Sequence, residues 1–202
     1  EVYLYDEAGR LFEKQSCDSG GTVRWRWVYA WDPAGRDLTE VLYDVEGEVT
    51  SREVIHFNEQ GEKTGEDVLG PGGELVHRNE FTHGRNAEGY ETVMLTFSPG
   101  NELLKRRIYS YDAGGRLREK SIYRGNGLLE NRERHEYDAA GNVIEEITFQ
   151  PDGAAGFSYT FQYEYGDRGD WIRRETRVDL RRPGAPDHLL SEHTQRILTY
   201  YP

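Results

Sequence analysis

The chain has 202 residues, with 37 acidic against 25 basic side chains, a net charge of −12 and a hydrophobic content of 36%. An acidic surface repels phosphate backbones, which argues against nucleic acid as a partner. With no run of about 18 apolar residues, membrane insertion is not expected either. A single cysteine excludes an intrachain disulfide, and so low an apolar content is thin for a two-layer core, so a sheet with partly wet faces is expected.

In chain order, residues 1 to 5 read as half of a first strand. Tyr5-Asp6-Glu7-Ala8-Gly9-Arg10-Leu11 then reads as a hairpin tip. Asp suits the first corner of a type I turn and Gly the left-handed position that closes it with a bulge. Strands follow over 11–17, 23–31, 37–43, 49–57, 63–69 and 75 to about 82. The strand over 23–31 alternates strictly, which sets Trp25, Trp27, Tyr29 and Trp31 on one face and Arg24 and Arg26 on the other. Near 83–89, His83-Gly84-Arg85-Asn86-Ala87-Glu88-Gly89 supplies turn residues without the motif, so an irregular, longer loop is expected there. The pattern resumes with strands over 103–111, 117–123, 129–137, 143–149 and 155–165. Tyr165-Gly166-Asp167-Arg168-Gly169-Asp170-Trp171 is the last clear tip. A basic stretch holds Arg168, Arg173, Arg174, Arg177, Arg181 and Arg182. A wider connection over 181–187 then leads to a closing strand near 190–201.

The anchors of these tips fall at 5, 17, 31, 43, 57 and 69, and again at 97, 111, 123, 137 and 149. Steps of 12 and 14 alternate, so the true repeat is a two-strand unit of 26 residues, the mark of a repeat architecture. Each turn maps its anchor to the residue six later on the same face, and each strand runs an even number of residues onward. On that count all anchors share one face, together with Glu13, Glu53, Glu119, Glu133 and Glu145. The expected fold is all-β: one antiparallel meander of about 15 strands, strongly twisted and coiled, with closure into a barrel as the alternative.

Tyr111-Asp112-Ala113-Gly114-Gly115-Arg116-Leu117, Tyr137-Asp138-Ala139-Ala140-Gly141-Asn142-Val143 and Tyr5-Asp6-Glu7-Ala8-Gly9-Arg10-Leu11 resemble the YD repeats of the bacterial Rhs family. The resemblance covers nearly the whole chain. It implies a single repeat domain over 1–202, in a family whose hairpin sheets coil into shells, some enclosing toxins, with carbohydrate binding proposed for some members. It also favours the cell envelope or secretion. The chain starts at Glu1 rather than Met, as it would if a leader or neighbouring repeats had been removed. The chain is short beside the shell proteins and shows no toxin segment.

Histidines 56, 77, 83, 135, 188 and 193 show no metal-ligand spacing, so no metal and no cofactor are expected. No nucleophile elbow or phosphate loop is present, and no catalytic residue is assigned. The acids on the anchor face could in principle offer a paired-carboxylate site for a glycan-active enzyme, but pairs arise easily among 37 acids, and solvated or Arg-paired glutamates are the preferred reading. Two binding candidates remain, each beside a plainer reading that the pattern favours: the aromatic stripe of Trp25, Trp27, Tyr29 and Trp31, which also reads as ordinary sheet packing, and the basic group of Arg173, Arg174 and Arg177, which also reads as a solvated edge with cross-strand ion pairs. The function expected from sequence is a non-catalytic repeat scaffold that binds a protein or carbohydrate partner on a curved β surface, with self-association through edge strands as a further route. A fragment or small relative of an Rhs-type toxin-enclosing shell is the alternative, and a carboxylate-based glycan-active enzyme is the third reading.

Overall fold

The computed structural model describes residues 1–180 and 190–196. Fifteen strands follow in chain order: β1 (Val2–Tyr5), β2 (Leu11–Cys17), β3 (Val23–Trp31), β4 (Asp37–Tyr43), β5 (Val49–Phe57), β6 (Lys63–Leu69), β7 (Leu75–Asn86), β8 (Gly89–Phe97), β9 (Leu103–Asp112), β10 (Leu117–Arg124), β11 (Leu129–Tyr137), β12 (Val143–Phe149), β13 (Ala155–Tyr165), β14 (Trp171–Leu180) and β15 (Leu190–Gln195). They hydrogen-bond in sequence order as one antiparallel meander, an open sheet whose order ends at β1 and β15. Barrel closure, the alternative expected from sequence, is not what this order describes. The chain divides into two compact units, one of Glu1–Thr82 with Met94–Lys105, the other of His83–Val93 with the residues from Arg106 onward.

The hairpin tips form as their residues require. At the first tip, the Asp6 amide donates to the Arg10 carbonyl and the Gly9 amide to the Asp6 carbonyl, both at 2.9 Å. Asp6 Oδ1 accepts the amides of Ala8 and Arg10 at 2.9 and 2.8 Å. Asp112 does the same for Gly114 and Arg116, and its Oδ2 pairs with Arg116 Nε at 2.7 Å. These backbone amides, Arg116 and Arg10 first among them, hold the Asp112 and Asp6 carboxyls below the ordinary aspartate range. Gly9, Gly115 and Gly141 have φ of 76°, 82° and 88°, as the turn type demands.

Two expectations change. Where the sequence points to an irregular loop near 83–89, β7 instead runs through Asn86 and β8 begins at Gly89, so only Ala87 and Glu88 connect them. Gly89 takes φ 152°, and a Cβ there would lie 2.1 Å from the Tyr111 carbonyl oxygen, so this glycine serves a close approach between strands. Of the closing strand expected over 190–201, β15 is the described part. The connection over 181–187, with Arg181 and Arg182, lies outside the described residues.

The anchors do not share one face. Tyr5 stands opposite Leu11, yet Leu4 stands opposite Glu13, so Phe12 is an extra residue. The same one-residue slip directly after the turn recurs in nine hairpins. A bulge puts two residues against one and reverses the inward and outward sense of everything beyond it. Anchors at successive tips therefore alternate between faces. In the first unit, Tyr5, Trp31 and Phe57 share one face, here face A, while Cys17, Tyr43 and Leu69 take the other, face B. The same rule, applied within the second unit, sets Tyr137 and Tyr165 on one face and Tyr123 and Phe149 on the other. The 26-residue repeat is thus the distance after which a tip returns to the same face.

Ile147, at 6% exposure, is the one buried hydrophobic side chain among the described residues, while Ser158, Asn79 and Ser121 are equally enclosed. Cohesion comes from the strand ladder and from side chains packed across it. Arg26, Arg78, Arg106 and Arg132 lay their guanidinium groups over Tyr43, Phe97, Tyr123 and Phe149 at 4.4, 5.5, 4.8 and 5.0 Å. Each such contact contributes about 0.5–1 kcal/mol when exposed. Tyr137 Oη donates to the Leu117 carbonyl at 2.7 Å and Tyr163 Oη to the Val143 carbonyl at 2.9 Å.

Candidate functional site

The aromatic stripe lies where the alternation of β3 puts it, on face A of the first unit. Trp25 is opposite Ser16, Trp27 opposite both Lys14 and Leu42, Tyr29 opposite Glu40, and Trp31 opposite Leu38. Trp25 and Trp31 remain 44% and 38% exposed, whereas Trp27 and Tyr29 are half-buried. Each inner ring is flanked on both sides by neighbouring strands, and each outer ring sits toward a strand end. Lys14 Nζ lies 5.0 Å from the Trp27 ring and 5.6 Å from the Tyr3 ring, and 3.2 Å from Glu1 Oε1. The Trp31 ring meets Phe57 at 5.5 Å, tilted by 34°.

Beside the stripe the structure places a pair that sequence reasoning missed. Glu40 of β4 stands directly opposite Glu53 of β5, and Tyr29 opposite Glu40, in one row on face A. Among the described residues neither carboxylate has a hydrogen-bond or ion-pair partner; Lys14 and Lys63 pair with Glu1 and Glu66 and act on Glu40 only at longer range. Burial, and after it the neighbouring Glu53, pushes the Glu40 carboxyl above the ordinary range. Burial, with Glu40 next, raises the Tyr29 hydroxyl in the same way. Two like charges facing each other across a ladder are destabilising. The bulges explain why the pair was not legible: they turn the expected acidic column apart, with Glu13 on face B and Glu53 on face A, and with Glu119 and Glu133 on opposite faces of the second unit.

The basic group does not assemble. Along β14, Arg173 and Arg177 face one way and Arg174 the other. Arg177 Nε pairs with Glu175 Oε1 at 3.0 Å. Arg174 packs between Phe161 and Trp171, at 5.6 and 5.9 Å from their ring centres. Arg173 borders a cleft of about 480 Å³ lined also by Glu164, Ile172, His193, Thr194 and Gln195, which mixes both charge signs. A second aromatic run, Phe157, Tyr159, Phe161, Tyr163 and Tyr165 on β13, shares the Arg174 face, with Tyr163 and Trp171 rings 5.9 Å apart. There the inner rings pack against one another and against arginine, while Phe157 and Tyr165 stay 36% and 37% exposed, close to Trp31 of β3.

No protein-family model matches the chain, and no curated protein matches it. Among solved structures it is similar to a porin-like protein from Bacteroides uniformis, with 14% identity, a TM-score of 0.53, and coverage of 96% of this chain and 88% of that one. A porin-like protein from Bacteroides vulgatus aligns at 13% identity over 90% of this chain and 96% of that one, with a TM-score of 0.36. At this identity the first likeness speaks to the fold alone, a β-rich meander.

Proposed function

We propose that the chain is a non-catalytic hairpin-repeat scaffold that binds a protein or glycan partner on its sheet, with Trp25, Trp27, Tyr29 and Trp31 as the contact surface. The observation that carries this reading is the exposure of Trp25 and Trp31 on an ordered strand inside the sheet. Large rigid aromatic faces left open to water are what stacking partners use. The tandem Tyr-Asp-x-x-Gly cassettes support placing the chain with YD-type repeats. A transmembrane barrel, the reading that porin-like neighbours bring to mind, needs an uncharged lipid-facing band. In the first unit, charges stand at mid-strand on both faces: Lys14, Glu40 and Glu53 on face A, Arg26, Arg52 and Asp67 on face B. An aqueous binding surface fits that distribution.

The test uses Trp171→Phe, which leaves the three tryptophans of the stripe as the only indole reporters. Titrating it with a panel of basic, acidic and neutral peptides and neutral oligosaccharides is expected to give a saturable emission change with one class, lost when Trp25 and Trp31 are both changed to Ala while the circular dichroism is retained. Silence across the panel counts against the stripe as a platform.

A further inference from the structure

Resting on that reading, we infer that the occupant of the β3 aromatic face is a segment of a partner protein that presents lysine or arginine side chains. Charge complementarity around exposed rings selects such a segment. Cations settle on aromatic faces throughout this chain, and on the stripe itself Lys14 already lies over Trp27. Among the described residues, Trp25, Tyr29 and Trp31 hold no such cation. The charged groups on the same face beside Tyr29 are Lys14, which Glu1 already pairs, and Glu40 and Glu53, opposed to each other and with no hydrogen bond or ion pair of their own among the described residues.

A neutral sugar stacked on the rings leaves that repulsion in place. An acidic partner increases it and is repelled in addition by the net charge of −12. A guanidinium or ammonium placed over Tyr29 and Trp31 gains the ring face and relieves the opposed carboxylates in the same step. Because the repulsion is built into the fold, the cation-bound state collects the relief of a cost that the free state carries. Selectivity for basic segments follows from that difference rather than from the area of the rings.

The probes are an octaarginine peptide and cellohexaose, titrated into Trp171→Phe protein at about 150 mM salt, where long-range attraction is screened beyond about 8 Å. Octaarginine is expected to change the emission saturably and cellohexaose not to. E40Q/E53Q should weaken octaarginine at least tenfold, about 1.4 kcal/mol, with unchanged circular dichroism. E136Q/D167N removes the same charge from exposed positions of the other unit and should stay within twofold of the parent. Equal weakening in both double variants would mean bulk attraction and overturn the inference, as would cellohexaose binding that ignores E40Q/E53Q, although that last result leaves the stripe as a platform. Silence toward both probes overturns the inference and the platform reading together.

Discussion

Glu40 is the residue at which the fold works against itself, and its titration can be followed. Its carboxyl is pushed up by burial and by Glu53, so the charged form is the one the folded state disfavours. The stability that the protonated form contributes is complete below the unfolded carboxylate value and lost as pH rises through the folded one. Glu40→Gln removes that loss. At pH 7 the variant is expected to melt higher than the parent, by up to about 1 kcal/mol, or about 2–4 °C in Tm for a chain of this size. The gap should narrow as the pH is lowered into the carboxylate range. A variant that melts lower at pH 7 would show that Glu40 has a stabilising partner. None of this was legible from sequence, because whether Glu40 meets Glu53 or a lysine depends on a one-residue register choice.

At the scale of the element, the hairpin cassette was legible nearly residue by residue. Strands over 11–17, 23–31, 37–43, 49–57 and 63–69 fall where the Tyr-Asp-x-x-Gly spacing puts them, since Asp and Gly fix the turn chemically and the turn fixes both strand ends. The bulge that follows nine of the turns was not legible. It occupies positions as different as Phe12, Arg24, Thr50 and Val76, so no residue type announces it, and parity counted along the chain fails wherever it occurs. The arginine that stacks on a tip aromatic did have a signal: Arg26, Arg78, Arg106 and Arg132 recur with the repeat, and Arg52 holds the same place opposite Leu69. At Gly115, φ is 82° and a Cβ would meet nothing within 4 Å, so Gly115→Ala is expected to cost only the left-handed penalty, about 1–2 kcal/mol. Gly115→Asn should cost less, as Asn101 holds φ 66° at its own tip. Urea melts of the two variants decide this, and a neutral Ala variant would contradict the turn geometry.

For the whole molecule, composition foretold the absence of a thick core among the described residues better than the parity argument foretold its faces. A chain this poor in aliphatics and rich in tyrosine builds a ladder whose sides stay partly wet, with Ile147 alone enclosed as an apolar side chain in the described residues. What sequence could not supply was what covers each aromatic run: on β13 Arg174 lies over Phe161 and Tyr163 meets Trp171, whereas on β3 Lys14 lies over Trp27 and Phe57 meets Trp31. Binding on the stripe requires the β3 face to be open in the intact chain. Acrylamide quenching of the Trp171→Phe protein measures this directly, because Trp25, Trp27 and Trp31 are then the only indoles. The expected result is red-shifted emission, most of it readily quenched in the native state. Blue-shifted emission that resists acrylamide until the protein unfolds would mean the stripe is covered, and would contradict the assignment of β3 as the binding surface.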